Sequence, residues 1–433
     1  MRNKTFLSKA FMALFLSGIL VVAGCSSSDE DGESSASGDQ TEVSVFQFKV
    51  EFKEQFEDLV AQYEEENPDI KIDVQTVGGG NDYAASLKSS FAAGNEPDIF
   101  NVGGPTEVEE YREYLTDLSD TAAADAALDG TLSGVTVDEE ILGLPYSQEG
   151  YGYIYNKEIF EQAGINAEEL TTYEALEEAF ETLESQKDEL GLEAVIALPA
   201  KELWVMGNHL ANTYIASDFN DDILEAYNAE TIPFEKGDEL QRMLDLQNEY
   251  SKQPVLSLDY SQQVEQLFST GKVALIQQGN WIYPTVEQMD AEFAENGIGM
   301  IPIPVDGLEG HLPVGVPQYW VVNNNADDAT QQAAKDFLDW MYTSDAGKEL
   351  VLNEFKFIPA YEGYDTEQIS DPLSQDVYKY ASEGKTIGWV FMASPIGWQE
   401  DSLAVNMQRY LSGDITWHEV IEGSKADWEN ARK

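Results

Sequence analysis

The chain has 433 residues, which is enough for one large domain or two, and 42% of them are apolar, which excludes a wholly disordered protein. Its 81 acidic residues against 24 basic ones give a formal charge of −57. Such a field repels nucleic acid and anionic membranes and disfavours polyanionic substrates, and it is typical of a solvated, halophile-like surface suited to high salt or high pH.

The first predicted element is an export signal. The basic residues Arg2, Lys4 and Lys9 precede a short apolar run at 11–23 that ends in small residues. A basic start, an apolar core and small residues before a cleavage site are the parts of a secretory signal. The apolar run is too short to span a bilayer as a lasting helix.

The single cysteine of the sequence follows this run directly, as Cys25 in the stretch LVVAGC. This spacing resembles a bacterial lipoprotein signal, in which residues 1–24 are removed and Cys25 receives the lipid. We therefore expect a protein anchored by lipid on the outer face of the cytoplasmic membrane. An ordinary secretory signal with a chance cysteine is the alternative. Residues 25–40 are rich in Ser, Gly and acids and predict a flexible acidic tether.

The folded region begins with alternating strands and helices. Strands are predicted at 43–48, 70–77 and 97–104, where β-formers alternate or cluster. Helices are predicted between them, at 52–65 and from residue 83, because apolar residues recur there at helical spacing. This order is typical of a parallel α/β sheet.

A second set of strands and helices follows. The segment 143–156 predicts two short strands about a Glu-Gly turn, and 313–323 predicts one continuous strand. Further strands are predicted at 194–200 and 298–305, and 272–281 predicts a strand that runs into the start of a helix. Helices are predicted at 156–163, 172–190, 204–215, 239–250, 260–268, 327–342, 345–352, 372–382, 401–411 and 417–430. Two α/β sets with several crossings between them indicate an α/β fold of two lobes.

Several segments, in their order and spacing, resemble the extracellular solute-binding proteins (family 1) of bacterial ABC transporters, in the class that carries sugars. These segments are EENPDIKIDV (65–74), GNEPDIF (94–100), GLPYSQEGYGYIYNKEIFEQAGI (143–165), GKVALIQQGNW (271–281) and AAKDFLDWMYTSDAGKELV (333–351). The C-terminal part, with GKTIGWVF (384–391) and YLSGDITWHEVIE (410–422), is most similar to binding proteins for oligosaccharides of the raffinose and melibiose type.

The resemblance implies a two-lobed fold like that of periplasmic binding proteins, with a hinge and a ligand cleft between the lobes. The implied bounds are 41–145 plus 298–352 for lobe one and 146–297 plus 353–433 for lobe two. The implied hinge crossings lie near 143–150, 296–300 and 350–360. The implied activity is that of a monomeric receptor, not an enzyme, which captures a sugar by cleft closure and presents it to the permease subunits of an ABC importer.

Three tryptophans are candidates for ligand contact. A sugar presents C–H faces and a ring of hydroxyls, so its site needs flat aromatic surfaces with donors and acceptors at the edge. Trp281 follows the strand 272–278 and resembles the stacking tryptophan of the family. Trp204 begins a helix after a strand, and Trp389 lies where the family often places another aromatic residue. Core packing is the alternative for each.

The polar candidates also lie at the ends of strands or in adjoining loops, where ligand sites of α/β proteins occur. They are Lys49, Asn81, Tyr83, Asn101, Glu149, Gln278, Asn280 and Gln318. Lys49 could donate to a hydroxyl or carboxylate, with a surface salt bridge as its alternative. Asn101 follows a strand where relatives often carry a polar contact, and helix capping is the alternative for Asn81.

Motifs for catalysis and metal binding are missing from the sequence. The three histidines, His209, His311 and His418, stand in no zinc-site spacing, and GGGND at 78–82 lacks the Lys-Ser/Thr of a phosphate loop. We therefore predict no catalytic residue, no metal and no cofactor. Three alternatives stay open: a receptor for a polyol, glycerophosphodiester or peptide, a secreted polysaccharide-cleaving enzyme, and a surface adhesin.

Overall fold

The computed structural model describes residues 40–77 and 83–433. Four predicted features lie outside these described residues: the signal peptide 1–24, the predicted lipid acceptor Cys25, the predicted tether up to residue 39 and the candidate Asn81. Within the described ranges no helix combines the length and the apolar character needed to cross a membrane.

The strands and helices follow the chain in an irregular alternation. The strands are β1 Thr41–Gln47, β2 Ile70–Thr76, β3 Ile99–Val102, β4 Thr136–Val137, β5 Glu140–Ile141, β6 Leu144–Pro145, β7 Glu149–Asn156, β8 Ile196–Ala197, β9 Leu275–Gly279, β10 Ile298–Ile301, β11 Leu312–Gly315, β12 Tyr319–Val322 and β13 Thr386–Ile387. The α-helices are α1 Lys53–Glu66, α2 Tyr83–Ala93, α3 Pro105–Tyr111, α4 Ala122–Ala126, α5 Lys157–Ala163, α6 Tyr173–Ser185, α7 Lys187–Leu190, α8 Ala211–Ile215, α9 Ile223–Asn228, α10 Gly237–Tyr250, α11 Tyr283–Met289, α12 Asp328–Thr343, α13 Asp345–Glu349, α14 Pro372–Ser382, α15 Val405–Leu411 and α16 Trp417–Ala431. Longer π-helical segments lie at Val205–Leu210, Gln262–Phe268 and Trp398–Ala404.

The first sheet has the strand order β2-β1-β3-β12-β6. β1 runs parallel to both β2 and β3, as the alternating strand and helix pattern predicts, while β12 is antiparallel to β3 and to β6. Its two faces are covered by separate apolar clusters, one containing Phe56, Trp320 and Phe337 and the other containing Phe100 and Tyr111. Burial of both faces explains why β3 and β12, in the middle of the sheet, are almost wholly apolar.

The second sheet has the strand order β13-β11-β7-β9-β8, with β10 also paired to β7. The long strand β7 is antiparallel to β9, β10 and β11, so it forms the centre of this sheet. Gly152 in β7 lies so close to β10 that an added Cβ would stand 2.3 Å from the carbonyl oxygen of Ile301. Glycine at this position therefore permits the pairing of the two strands.

The chain passes between the two sheets at three places. The first is the link from β6 to β7 at 146–148, and the second is the link from β11 to β12 at 316–318. The third follows α13, in a segment where Ile358 pairs with Gln148 of the first link. Crossings that lie side by side in this way are the arrangement expected of a hinge between two lobes.

Two local predictions from the sequence were wrong. The segment 313–323 is not one strand, because β11 belongs to the second sheet and β12 to the first. Glu149 does not lie in a turn, because it is the first residue of β7. In addition, β10 and β11 pair with β7 in the second sheet, although the sequence analysis assigns 298–352 to lobe one. The remaining lobe bounds stay a prediction.

Candidate functional site

A cavity of about 810 Å³ lies between the two sheets. Seven of the residues predicted from the sequence line it: Lys49, Tyr83, Glu149, Trp204, Trp281, Gln318 and Trp389. Lys49 and Gln318 come from links that leave the first sheet or lead into it, whereas Glu149 and Trp281 come from the second sheet and the turn behind it. The volume falls in the range of cavities that enclose small-molecule ligands.

One wall of the cavity is aromatic. The ring centroids of Trp204 and Trp281 are 6.2 Å apart with 61° between their planes, and both rings lie 5.1 Å from the imidazole of His209. Trp389 joins them at 5.9 Å from the same imidazole. These neighbouring rings hold one another in place, so the wall is a rigid surface rather than a set of mobile side chains.

The orientation of Trp281 is fixed by the residues just before it. Its indole folds back over Gly279, where an added Cβ would stand 2.1 Å from the ring. The indole Nε1–H donates to Gln278 Oε1 at 3.0 Å, and Gln278 Nε2 donates to Gln263 Oε1 at 2.7 Å. Gln278 therefore positions Trp281 and lies behind it, away from the cavity lining.

An ion pair between Lys49 and Glu149 joins the two sheets beneath the cavity. Both residues are only 5% exposed, so the predicted alternative of a surface salt bridge for Lys49 was wrong. Gln47 holds the lysine backbone, because its Oε1 accepts from Lys49 N at 2.7 Å and its Nε2 donates to Thr76 Oγ1 at 2.7 Å. The pair neutralises two charges that would be costly to bury singly.

Three buried polar atoms of residues that line the cavity have no hydrogen-bond partner in the described part of the chain. They are Trp389 Nε1, Gln318 Oε1 and Asn208 Oδ1. A buried donor or acceptor that stays unpaired costs about 1–3 kcal/mol. One donor and two acceptors of this kind are suited to a ligand that carries several hydroxyl groups.

Two further predicted residues lie outside the cavity lining. Asn280 accepts from Gly150 N at 3.0 Å and donates to Ser374 Oγ at 3.1 Å, so it ties the end of β9 to β7 and α14. The Asn101 side chain is fully buried, and neither of its amide atoms has a partner among residues 40–77 and 83–433. Ligand contact by Asn101, Gln278 and Asn280 stays a prediction.

His209 was missed in the sequence analysis, because the histidines were considered there only as zinc ligands. Burial, reinforced by the positive charge of Lys49, lowers the pKa of this imidazole to about 3. His209 lies in the π-helical segment that Trp204 precedes, and the two rings meet at 5.1 Å. Its proximity to a candidate tryptophan in a predicted helix was the one signal in the sequence.

One end of the cavity is acidic, and this too was missed. Glu202, Asp259 and Glu265 line it together with Lys201. Lys201 Nζ contacts Asp259 Oδ2 at 3.1 Å, and Glu265 accepts from Ser261 Oγ at 3.0 Å. In the part of the chain that the structure describes, no group of three or more His, Cys, Asp or Glu residues is arranged to hold a metal ion.

Two lobes joined by three crossings, with a cavity between their sheets, define the class of solute-binding proteins. A family model for the bacterial extracellular solute-binding protein matches residues 49–348. The match covers more than half of the chain, and the chain belongs to this family.

Relatives and solved structures agree with this assignment. The melibiose/raffinose/stachyose-binding protein MelE of Bacillus subtilis is 30% identical over 159 residues, which are 36% of this chain and 36% of that protein. The chain thus spans about a third of the length of this curated relative. A chitin oligosaccharide binding protein superposes with a TM-score of 0.77 at 22% identity, covering 91% of this chain and 100% of that chain. RafE in complex with raffinose superposes with a TM-score of 0.73 at 18% identity, covering 90% of this chain and 100% of that chain. The predicted two-lobed fold is confirmed.

Proposed function

We propose that this protein captures a sugar, most specifically an oligosaccharide, in the cavity between its lobes and delivers it to the permease of an ABC importer. The observation that carries this proposal is the cavity itself, with a rigid aromatic wall beside unpaired polar atoms. Aromatic faces pack against the C–H faces of a sugar, and the polar atoms at their edge pair with its hydroxyls.

The names of the similar proteins support an oligosaccharide. MelE is named for melibiose, raffinose and stachyose, RafE is described with raffinose, and the third protein is named for chitin oligosaccharides. A volume of about 810 Å³ leaves room for more than one sugar ring.

The state of the two cavity lysines disfavours a glycerophosphodiester or another anion. Lys49 is engaged by Glu149, and Lys201 by Asp259. A phosphate would need a cation that is free to bind it. The carboxylates Glu202 and Glu265 would instead repel it, so a neutral ligand fits this cavity better.

The central test replaces Trp281 by Ala and measures sugar affinity by isothermal titration calorimetry. Loss of a stacking ring is expected to weaken binding by roughly 1–3 kcal/mol, judged from aromatic–base stacking. Trp340→Ala is the matched control, because Trp340 lies on α12 away from the cavity, with its indole bonded to Glu66. Equal affinities of the two variants and the unaltered protein would remove Trp281 from the site.

We also propose that Cys25 carries the lipid that holds the receptor at the membrane. The LVVAGC stretch behind a basic, apolar leader supports this. Cys25→Ser is expected to abolish incorporation of labelled palmitate in a bacterial host and to release the protein from the membrane fraction. Continued labelling of the serine variant would contradict the anchor.

We propose no catalytic step. The family consists of binding proteins by its description, and incubation with the sugar that binds is expected to release no reducing ends. Release of reducing sugar by the purified protein would favour the polysaccharide-cleaving alternative.

A further inference from the structure

The imidazole of His209 is held in one orientation by rings on several sides. It stacks on Tyr151 with centroids 4.3 Å apart and 16° between the planes. Trp204 lies edge-on at 5.1 Å, Trp281 is tilted at 5.1 Å and Trp389 is tilted at 5.9 Å. Because its neighbours are themselves packed, the ring has little freedom to turn.

The backbone around His209 is equally constrained. Its carbonyl accepts from Tyr151 Oη at 2.9 Å and from Thr213 Oγ1 at 3.0 Å. Gly207, two residues earlier, packs so closely on the next segment that an added Cβ would stand 2.2 Å from the carbonyl oxygen of Gln399. The π-helical turn that carries His209 is thus fixed from both sides, and such turns are frequent at functional sites.

No hydrogen bond joins the ring nitrogens of His209 to residues 40–77 or 83–433, and neither nitrogen is among the fully buried unpartnered polar atoms of these residues. The residue is 8% exposed and lines the cavity. The rings of Tyr151, Trp204 and Trp281 pack against the imidazole. Both nitrogens of the imidazole are therefore free of protein partners in the described residues and accessible to a ligand in the cavity.

Burial, together with the charge of Lys49, keeps His209 neutral. The titratable groups around it are Lys49 and Glu149 of the ion pair, Tyr151 beneath the ring, and Glu202 and Tyr260 farther along the wall. Burial and the lysine charge both disfavour the imidazolium and lower the pKa to about 3. A neutral imidazole offers one N–H donor and one nitrogen acceptor at the same time.

We propose that His209 is a specificity-determining residue of the cavity, which donates to one hydroxyl of the bound sugar and accepts from another. This inference rests on the proposed function. A fixed donor and acceptor at the ends of one rigid ring match only sugars whose two hydroxyls have the right spacing and configuration. Epimers with one hydroxyl inverted leave one nitrogen unpaired, and a site built in this way rejects them.

The test compares His209→Phe with the unaltered protein by calorimetry against raffinose, stachyose, melibiose and chitin trisaccharide. Phenylalanine keeps a flat ring on Tyr151 and removes both nitrogens. We expect the affinity for the tightest-binding sugar of this panel to fall about 10- to 100-fold. Monodeoxy derivatives of that sugar, lacking the contacted hydroxyl, are expected to lose affinity with the unaltered protein and not with the variant.

Two further variants keep the result interpretable. His209→Gln keeps a donor and an acceptor without the rigid ring, so its sugar affinity is expected to lie between those of the unaltered protein and of His209→Phe. It also replaces His209→Phe in the test if that variant does not fold. His311→Gln is the matched control, because His311 lies outside the cavity lining with its ring near Glu309 O at 3.3 Å. It is expected to bind like the unaltered protein.

The outcomes separate the inference from the proposed function. If the unaltered protein binds a panel sugar but His209→Phe shows the same order of preference and the same losses with deoxy sugars, the role of His209 is overturned and the receptor function stands. If the unaltered protein binds no sugar, both are overturned. An affinity of the unaltered protein that falls with a midpoint near pH 6.5 would show a titrating imidazole and would also overturn the assignment.

Discussion

Lys49 and Glu149 show at the residue scale how the site is held together. The sequence marks both residues, Lys49 at the end of a predicted strand and Glu149 in a predicted turn, but it does not show that they meet. The two residues are a hundred positions apart in the chain, and they meet only because the fold brings the two sheets together. Both charges of the pair are removed from water, so the loss of either partner would leave the other charge buried and uncompensated.

Removing one partner of this pair is expected to be costly. Lys49→Met leaves Glu149 buried without its cation, and the free energy of unfolding in urea should fall by about 3–5 kcal/mol. The double variant Lys49→Met/Glu149→Gln should recover most of the loss. Lys53→Met, which removes an exposed pair with Glu57 at 3.7 Å, should cost less than about 1 kcal/mol. Equal losses at the two lysines would show that the pair has no special role.

The sequence identifies site residues that are marked by a nearby strand end, and it misses residues whose role depends on contacts between distant parts of the chain. Trp281 and Trp204 are found because a strand ends just before each. Ligand contact by Gln278 stays a prediction, but its role in orienting Trp281 was missed, because that role depends on which way a buried side chain points. His209 was missed because nothing near it in sequence reveals the rings of Tyr151 and Trp389 that surround it.

At the scale of elements, periodicity finds strands but does not assign them to a sheet. The run 313–323 has one continuous β-pattern, and the structure divides it at Val316–Gln318 into β11 and β12 of different sheets. Both strands are rich in apolar residues, so the pattern does not change at the crossing. By contrast, β1, β2 and β3 are predicted with their parallel order, because helices separate them in sequence.

Strand β7 depends on glycine where it meets β10. Gly152→Ala should place a methyl group against the backbone of Ile301 and lower the free energy of unfolding by more than about 2 kcal/mol. Gly237→Ala is the matched control, because Gly237 begins α10 and an added Cβ would meet only side-chain atoms at ordinary contact distance, Ile421 Cδ1 at 3.4 Å and Phe234 Cβ at 3.5 Å. That variant should be neutral or stabilising, owing to the helix propensity of alanine. Urea unfolding of both proteins measures the difference, and similar effects would contradict the close packing of β7.

Helix α14 begins with a buried acid whose ionisation opposes folding. Asp371 is 1% exposed, its Oδ1 accepts from Ser374 N at 2.8 Å, and burial raises its pKa to about 6. The carboxyl group of Asp371 therefore binds its proton more tightly in the folded protein than in the unfolded chain. The stability that this protonation contributes is lost as the pH rises from about 4 through about 6.

Asp371→Asn should remove this pH dependence while keeping the helix cap. The variant should gain stability relative to the unaltered protein between pH 4 and pH 7, by on the order of 2 kcal/mol at pH 7. Urea unfolding across this range measures the gain. A stability difference that does not change with pH would show that Asp371 stays ionised in the fold.

At the scale of the whole molecule, the excess of acid sets the conditions for stability. The chain carries 81 acidic and 24 basic residues, so most carboxylates have no basic partner. Their mutual repulsion opposes the compact state, and it is screened as the Debye length falls from about 10 Å at 0.1 M salt to about 3 Å at 1 M. Composition alone predicts this property, because it depends on the total charge and not on contacts.

The melting temperature should therefore rise by about 5 °C or more between 0.1 M and 2 M potassium chloride. Differential scanning calorimetry measures it, and sucrose at matched osmolality is the control that separates screening from solute exclusion. A melting temperature that stays constant or falls with salt would contradict an account based on self-repulsion.

The fold class also belongs to this scale, and it was predicted because strand and helix alternate along most of the chain. The two-lobed arrangement and the cavity between the sheets follow from the crossings at 146–148, at 316–318 and after α13. Under the proposed function, the ligand binds between the two lobes, and the closed form is the one that a permease would distinguish from the open form.

The most direct test of the account is a titration of the purified protein with raffinose, stachyose, melibiose and chitin oligosaccharides, followed by calorimetry and by thermal melting. We expect that one of these sugars binds saturably and raises the melting temperature with increasing concentration, as mass action requires. Trp281→Ala should weaken that binding, and Trp340→Ala should not. A folded protein that binds none of these sugars at low or high salt would contradict the central claim.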